Sequence, residues 1–198
     1  MVFSTITAGI EQLQKGNFVI FIDDGQRENE GDLVLAAGKA TAEKLNFMVK
    51  EARGIMCIAM TGGRLDALKI PLMVQDSTDR FGTPFTVSVD AKQNTTTGVS
   101  VHDRLQTVKA LVDPNSKPED LARPGHMFPL RAAENGLKER RGHTEAAVEL
   151  CKRAGLYPAA LIVEILNEDG QPASPRELEA FGARHHIPLV PIQALLQE

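Results

Sequence analysis

The sequence predicts an α+β fold: a mixed, twisted sheet with helices packed around it, in a single domain over residues 1–198. Three observations lead there. Short apolar runs rich in Val, Ile, Leu and Phe recur between Gly, Pro, Asp and Asn clusters, as strands do. Between them stand stretches with apolar residues three and four positions apart, the period of an amphipathic helix. The two kinds do not alternate strictly, and the first two strands are near enough to be hairpin partners. That disfavours a doubly wound parallel sheet, which needs a crossover between neighbouring strands.

Residues 4–15 form the first predicted helix, with Ile6, Ile10 and Leu13 on one face and Gly16 as its stop. Strands are predicted over 18–22 and 33–37, with a connecting turn at Gly25 or Gly31. Residues 41–52 give a second helix through Leu45, Met48, Val49 and Ala52. IMCIAM at 55–60 reads as a buried strand closed by Gly62-Gly63. The signal then weakens, to a short helical turn ending near Pro71 and the polar loop QDSTDRFG. Residues 84–90 alternate as a half-buried strand with Phe85, Val87 and Val89 on one side.

After the Thr-rich loop NTTTGVS, a helix is predicted over 103–112 with Asp103 as N-cap. DPNSKPEDLARPG is turn-dense and reads as surface loop, with a short strand following at 126–131. A helix over 144–154 follows Arg140-Arg141-Gly142 and ends at Gly155. LIVEIL at 161–166 is a strand, and NEDG turns the chain. Ser174-Pro175-Arg176-Glu177 joins a capping box to a proline at the first helical position. That helix carries His185 and His186 at its C-terminal end, residues 187–192 are a last strand, and the tail is a helical turn.

Composition narrows the function. With 42% hydrophobic and 24% charged residues this is an ordinary globular chain, and a net charge of −4 gives no electrostatic reason for a nucleic-acid partner. Its two cysteines are too few for a disulfide scaffold or a zinc site, and Cys57, inside an apolar run, suits a reduced thiol in the cytosol. The start MVFSTITAGIEQLQKG lacks the basic and apolar regions of a signal peptide. No run approaches the roughly 18 apolar residues of a membrane span. A cytoplasmic protein with no membrane partner is expected.

Five places suggest chemistry. Asp23, Asp24, Glu28, Glu30 and Asp32 put five carboxylates into ten positions with only Arg27 among them. Like charges this close repel unless a cation joins them, and hard oxygen ligands suit magnesium or manganese; a solvated acidic turn is the plain alternative. Arg140, Arg141, Gly142, His143 and Thr144 stand just before a helix, where free N–H groups, guanidinium groups and a hydroxyl favour an anion such as phosphate. Thr144 is also a candidate N-cap, and His143 a nitrogen ligand for the cation. Glu164, inside LIVEIL, either faces solvent on an edge strand or is a buried carboxylate poised as acid or base. His126 in the turn Pro124-Gly125-His126 is a proton carrier or an incidental loop residue, and Thr97 a hydroxyl donor or a turn former.

Taken together, DDGQRENEGDLV, TTTGVSVHDR, RPGHMFPLRA, RRGHTEAAVELCKRAGLYPA and VEILNEDG, in this order and spacing, resemble the 3,4-dihydroxy-2-butanone-4-phosphate synthases of riboflavin biosynthesis. The resemblance runs from about Gly9 to the C-terminus, with RENEGD, RPGH and GHTEA its specific motifs. QPASPRELEAF and the ending LLQE depart from the family pattern and touch none of them. Some members continue into a GTP cyclohydrolase II domain, so a monofunctional or excised synthase domain is expected here.

The resemblance implies a lyase that converts D-ribulose 5-phosphate to L-3,4-dihydroxy-2-butanone 4-phosphate and formate with Mg2+ (or Mn2+). Glu28 and His143 would be the metal ligands. Arg27, Glu28, Asp32, Thr97 and the run Arg140, Arg141, Gly142, His143 and Thr144 would bind substrate, with Glu30 beside them. His126 and Glu164 would carry the proton transfers, and Cys57 and Asp103 would line the pocket. It also implies a homodimer with sites at the subunit interface. A sugar-phosphate isomerase or aldolase using the same enediolate chemistry, or a metabolite-binding module without turnover, are the rival readings; formate release separates them from the synthase.

Overall fold

A computed structural model describes residues 3–23, 25 and 27–196. Its strands are β1 (Val19–Ile22), β2 (Gly31–Ala36), β3 (Cys57–Thr61), β4 (Val89–Ala91), β5 (Leu121–Ala132), β6 (Ala159–Glu164) and β7 (Leu189–Pro191). They form one sheet in the order β4-β5-β3-β6-β2-β1-β7. The sheet is mixed: β1 runs antiparallel to β2 and parallel to β7, while β3 runs parallel to β5 and antiparallel to β6. The α+β class with a mixed sheet is therefore as expected, and the first two strands are hairpin partners. Asp24 of the acidic loop and the last two residues of the LLQE ending lie outside the described residues.

Period-two alternation sorts the side chains of the sheet onto two cores. Ile20, Leu33, Leu35, Ile58, Met60, Leu161 and Val163 face one way. They pack with helix α4 (Val101–Val112) and with α2 (Ala42–Phe47), which a π-turn extends through Met48–Ala52. Val19, Phe21, Val34, Ala36, Cys57, Ala59, Ala160 and Ile162 face the other way, against α1 (Ile6–Gln14) and α5 (His143–Arg153). Alanines on both surfaces, among them Ala59, Ala160, Ala146 and Ala147, let α5 lie close to the strands. The remaining helices are α3 (Gly62–Ala67) and α6 (Pro175–His185), and Ser174 and Glu177 make the expected capping box on α6.

Several local expectations are corrected. Gly62 and Gly63 begin α3 instead of closing β3 as a turn; the helix is too short to show a 3.6 period and is held by fully buried Leu65. In 84–90 only Val89 and Asp90 belong to a strand, and the polar members Thr86 and Ser88 point inward. Thr86 can do so because its hydroxyl donates to the Pro129 carbonyl at 2.8 Å. Ser100, not Asp103, caps α4: its Oγ accepts from the Asp103 N–H, and the Asp103 carboxylate folds back onto the 96–98 loop. LARPG is part of β5, which runs twelve residues and holds a cis Arg123–Pro124 bond. Gly142 occupies the cap position of α5, so Thr144 is inside the helix and is not its N-cap.

Candidate active site

β2 begins where antiparallel β6 ends, and their register sets Asp32 opposite Glu164. Asp32 shares the parity of Val34, and Glu164 that of Ile162, so both point to the α5 side of the sheet. Cys57, at the start of β3, points the same way. α5 begins over this end of the sheet, and His143 is its first residue. The pocket so formed is lined by Arg27, Glu28, Glu30, Asp32, Arg140, His143, Thr144 and Glu164, with Cys57, Thr83, Phe85, Leu130 and Ile162 as its remaining wall.

The approach to α5 is fixed by a buried ion pair. Arg140 donates to Glu145 at 2.8 Å, and the other Glu145 oxygen accepts from the Ala133 N–H at 3.1 Å. Glu145 is only 1% exposed, so without Arg140 its charge would be costly. Gly142 is glycine because a Cβ there would collide with the Arg140 guanidinium and crowd the Glu145 carboxylate. Arg140 also donates to Thr83 Oγ1 at 3.2 Å, tying the 81–83 segment to the pocket. Arg141 is exposed and points out of it, while Thr144 is buried inside. The free N–H groups of the first turn of α5, with Arg140 and Thr144 beside them, are chemistry that favours an anion.

Beside it lies the acidic loop. Arg27 reaches Asp23 at 2.6 Å and Glu28 at 2.8 Å, and Asp23 accepts from the Glu28 N–H at 3.2 Å. His143 Nδ1 is 3.3 Å from Glu28, while its Nε2 is 3.8 Å from Asp32, is fully enclosed and has no hydrogen-bond partner. Burial alone would lower the His143 pKa, but Asp32, Glu28 and Asp23 outweigh it and raise it to about 9. Burial lifts Asp32 to about 7 in spite of His143, with Glu164 and Glu28 adding to the rise. Burial also pushes Glu28 up, yet the hydrogen bond from His143 and the charge of Arg27 hold it below the usual carboxylate range. Glu30 is raised, chiefly by burial and then by Glu28 and Glu164.

These shifts describe a site short of positive charge. One ligand atom each from Asp23, Glu28 and His143 lies within 4.8 Å of the others, so a divalent cation fits. Two carboxylates and an imidazole suit magnesium or manganese. His143 Nε2, which makes no hydrogen bond, faces Asp32 beside this cluster.

Glu164 ends an interior strand rather than an edge one. Half-buried, it accepts the Ile55 N–H at 2.9 Å through one oxygen. Burial, then Glu164 and Asp32, push the Cys57 thiol up, so it is a neutral wall of the pocket. Thr97 and His126 lie outside the pocket. Thr97 is exposed, and the His126 ring, 42% exposed, sits 2.7 Å from Asp90 on the β4–β5 edge. Asp103 is turned toward the 96–98 loop rather than the pocket. Asp23 belongs to the acidic cluster that the sequence offers to a cation, though not to the pair named as ligands, while the pairing of Glu145 with Arg140 and the places of Thr83, Phe85 and Leu130 in the wall were not singled out by sequence. Only Asp23 and Glu145, inside recognised motifs, carried a local signal.

Comparison with known proteins shows the family and the fold. Residues 7–198 match the family model of 3,4-dihydroxy-2-butanone 4-phosphate synthase. The chain is 50% identical to the 3,4-dihydroxy-2-butanone 4-phosphate synthase of Agrobacterium fabrum, over 99% of this chain and 92% of that one. It is 47% identical to the riboflavin biosynthesis protein RibBA of Staphylococcus epidermidis, covering 99% of this chain but only 50% of that longer one. A solved 3,4-dihydroxy-2-butanone 4-phosphate synthase in complex with two magnesium ions superimposes with a TM-score of 0.90 at 41% identity, over 98% of this chain and 95% of that one.

Proposed function

This chain belongs to the 3,4-dihydroxy-2-butanone 4-phosphate synthase family, enzymes of riboflavin biosynthesis, and on that premise we propose that it converts D-ribulose 5-phosphate to L-3,4-dihydroxy-2-butanone 4-phosphate and formate. The observation that carries the reading is the meeting, at one end of the sheet, of an enclosed His143 with an unpartnered Nε2, the carboxylates of Asp23 and Glu28, and Glu164. A sugar phosphate needs an anion site, a place for a divalent ion and proton carriers within reach, and the residues of this pocket suit the first two and include Glu164 for the third.

Each residue then has a task. Arg140, Thr144 and the first N–H groups of α5 bind the phosphate, with Arg141 and Gly142 completing that segment. Arg27, Glu28, Asp32 and Thr97 orient the sugar. Glu28 and His143 would hold magnesium or manganese, with Asp23 as a third ligand. When bound, the ion supplies Lewis-acid stabilisation of negative charge on adjacent sugar oxygens. Glu164 and His126 carry the protons: one leaves the carbon beside the ketone to give an enediolate, the C1 hydroxyl departs as water, the skeleton shifts, and water adds at C4, whose carbon–carbon bond then breaks to release it as formate. Five carbons become four plus one, with no oxidant required.

The working form is a homodimer with its sites at the interface. Thr97 and His126 lie off their own pocket, on a patch that also exposes Val99 (52%), and seating this patch on a second copy would complete both sites. Residues 1–198 act as one synthase domain, and the two free, buried cysteines are in keeping with a cytoplasmic setting.

The test is to incubate the pure protein with ribulose 5-phosphate and magnesium, with and without EDTA, and to measure formate. Formate that appears with magnesium and vanishes with EDTA is expected. Sugar consumed without formate would mean an isomerase or aldolase, and untouched sugar with folded protein a binding module.

A further inference from the structure

We propose that Asp90 is a positioning residue for His126, holding the imidazole by Nδ1 so that Nε2 is the atom that exchanges protons with substrate. This rests on the reading of His126 as a proton carrier. The pair is built by an irregularity in the sheet. β4 and β5 pair at Val89↔Met127 and resume at Asp90↔Ala122, so residues 123–126 leave the ladder beside Asp90. Backbone N–H groups freed in this way need other partners. Gly125 N–H donates to Ser88 Oγ at 3.1 Å, and His126 N–H to Asp90 Oδ1 at 2.9 Å. The second Asp90 oxygen lies 2.7 Å from His126 Nδ1. One carboxylate therefore fixes both the backbone and the ring of the same residue.

The surroundings hold that carboxylate in place. Gly98, at φ +94°, covers the pair so closely that a Cβ would run into the Asp90 carboxylate and His126 Nδ1. The Gly98 N–H is in turn bound by Asp103 at 3.0 Å, and Asp103 also accepts from the Thr96 N–H and hydroxyl at 3.1 and 2.8 Å. The Asp90 side chain is 12% exposed and the His126 ring 42%, so the acid stands behind the ring and the opposite edge of the ring is free. A backbone anchor alone would need one oxygen; the second serves the ring.

The chemistry follows from the hydrogen bond. A carboxylate accepting from Nδ1–H keeps the neutral ring's proton on Nδ1 and its lone pair on Nε2. Nε2 can then take a proton from substrate, leaving the electron pair of the broken bond on the sugar, while Asp90 stabilises the imidazolium. The same proton returns to a later intermediate, so the cycle balances.

The test is D90N, which keeps the shape and the Oδ1 contact but offers Nδ1 an amide donor in place of an acceptor. We expect kcat to fall about 10²-fold, within the range a positioned proton carrier contributes, with KM and melting temperature unchanged. The readout that a merely structural role would not move is the ring tautomer. Nitrogen-15 NMR of the wild-type protein should show neutral His126 protonated on Nδ1, and D90N should move the proton to Nε2. A wild-type ring protonated on Nε2 would overturn the proposal, whether or not D90N folds. So would full kcat in D90N when H126S is inactive. Normal turnover by H126S would sink the underlying reading of His126 instead.

Discussion

Two regions of this molecule carry acid–base residues, and they are built in opposite ways. At the β2–β6 end of the sheet, Asp32, His143 and Glu145 are enclosed, at 4%, 6% and 1% exposure. Asp32 and His143 act on each other's charge, because little water is left to screen them, and Glu145 is paired with Arg140. At the β4–β5 edge, His126 stands 42% exposed, steadied from behind by Asp90. Enclosure couples the pocket groups to folding, while the edge residue is tied to it by its backbone and by one partly exposed ring contact to Asp90. Stability and turnover should therefore separate: the pocket bears on both, and the edge bears on turnover.

The largest expected effect separates them most cleanly. H126S and E164Q should each lower the rate of formate release by about 10²–10⁴-fold, the usual contribution of a general acid or base. H126S should nonetheless unfold in urea within about 0.5 kcal/mol of wild type, as exposed substitutions do. Near-normal turnover by H126S would make the edge a bystander. Next comes Arg140→Met, which strands the buried Glu145 carboxylate and should cost about 3–5 kcal/mol in the same unfolding experiment. Removing both charges, as in R140M/E145L, should recover much of that loss; no recovery would mean that Arg140 stabilises through Thr83 and the 81–83 segment instead.

A smaller effect concerns the cation. Magnesium at a hundred times its Kd should stabilise wild type by about 2.7 kcal/mol, seen as a rise in melting temperature. Glu28→Ala should abolish that rise, and an undiminished rise would remove Glu28 from the metal site.

The smallest is a pH slope of the metal-free protein. His143 is held at about 9 against an ordinary 6.5, so its contribution is complete below 6.5 and is lost as pH rises through 9. Asp32 is lifted to about 7 from 3.8, so the native state again binds the proton more tightly, and stability is lost from 3.8 up to 7. Both slopes run downward with rising pH. His143→Asn should flatten the upper part, and an unchanged slope above 6.5 would assign it to another group.

The same division explains what could be read from the chain. The strands of the sheet centre announce themselves because both faces are buried, as LIVEIL and IMCIAM show, and RENEGD and GHTEA carry their charge pattern within a few positions. The edge is less legible. Val89 and Asp90 meet β5 through a register jump, and Asp90 and His126 are 36 positions apart, so no local pattern announces the pair. Thr86 and Ser88 invert the expected alternation because their hydroxyls find backbone partners in β5, a fact of tertiary structure. Asp103 looked like an N-cap because Asp is a good one, but Ser100 lies three residues earlier and takes that role. Thr83, Phe85 and Leu130 reach the pocket wall by long-range contact, where side-chain type alone gives no signal.

The central claim is that the enclosed pocket of one copy and the exposed edge of another make one active site. It is tested most directly by mixing two inactive variants, H126S and E164Q, under conditions that exchange subunits, and measuring formate. Half of a random mixture would be mixed dimers with one intact site each, so about a quarter of wild-type activity should return. Mixed dimers seen by native mass spectrometry without any recovered formate would contradict the account, and would put His126 to work, if at all, in its own chain's pocket.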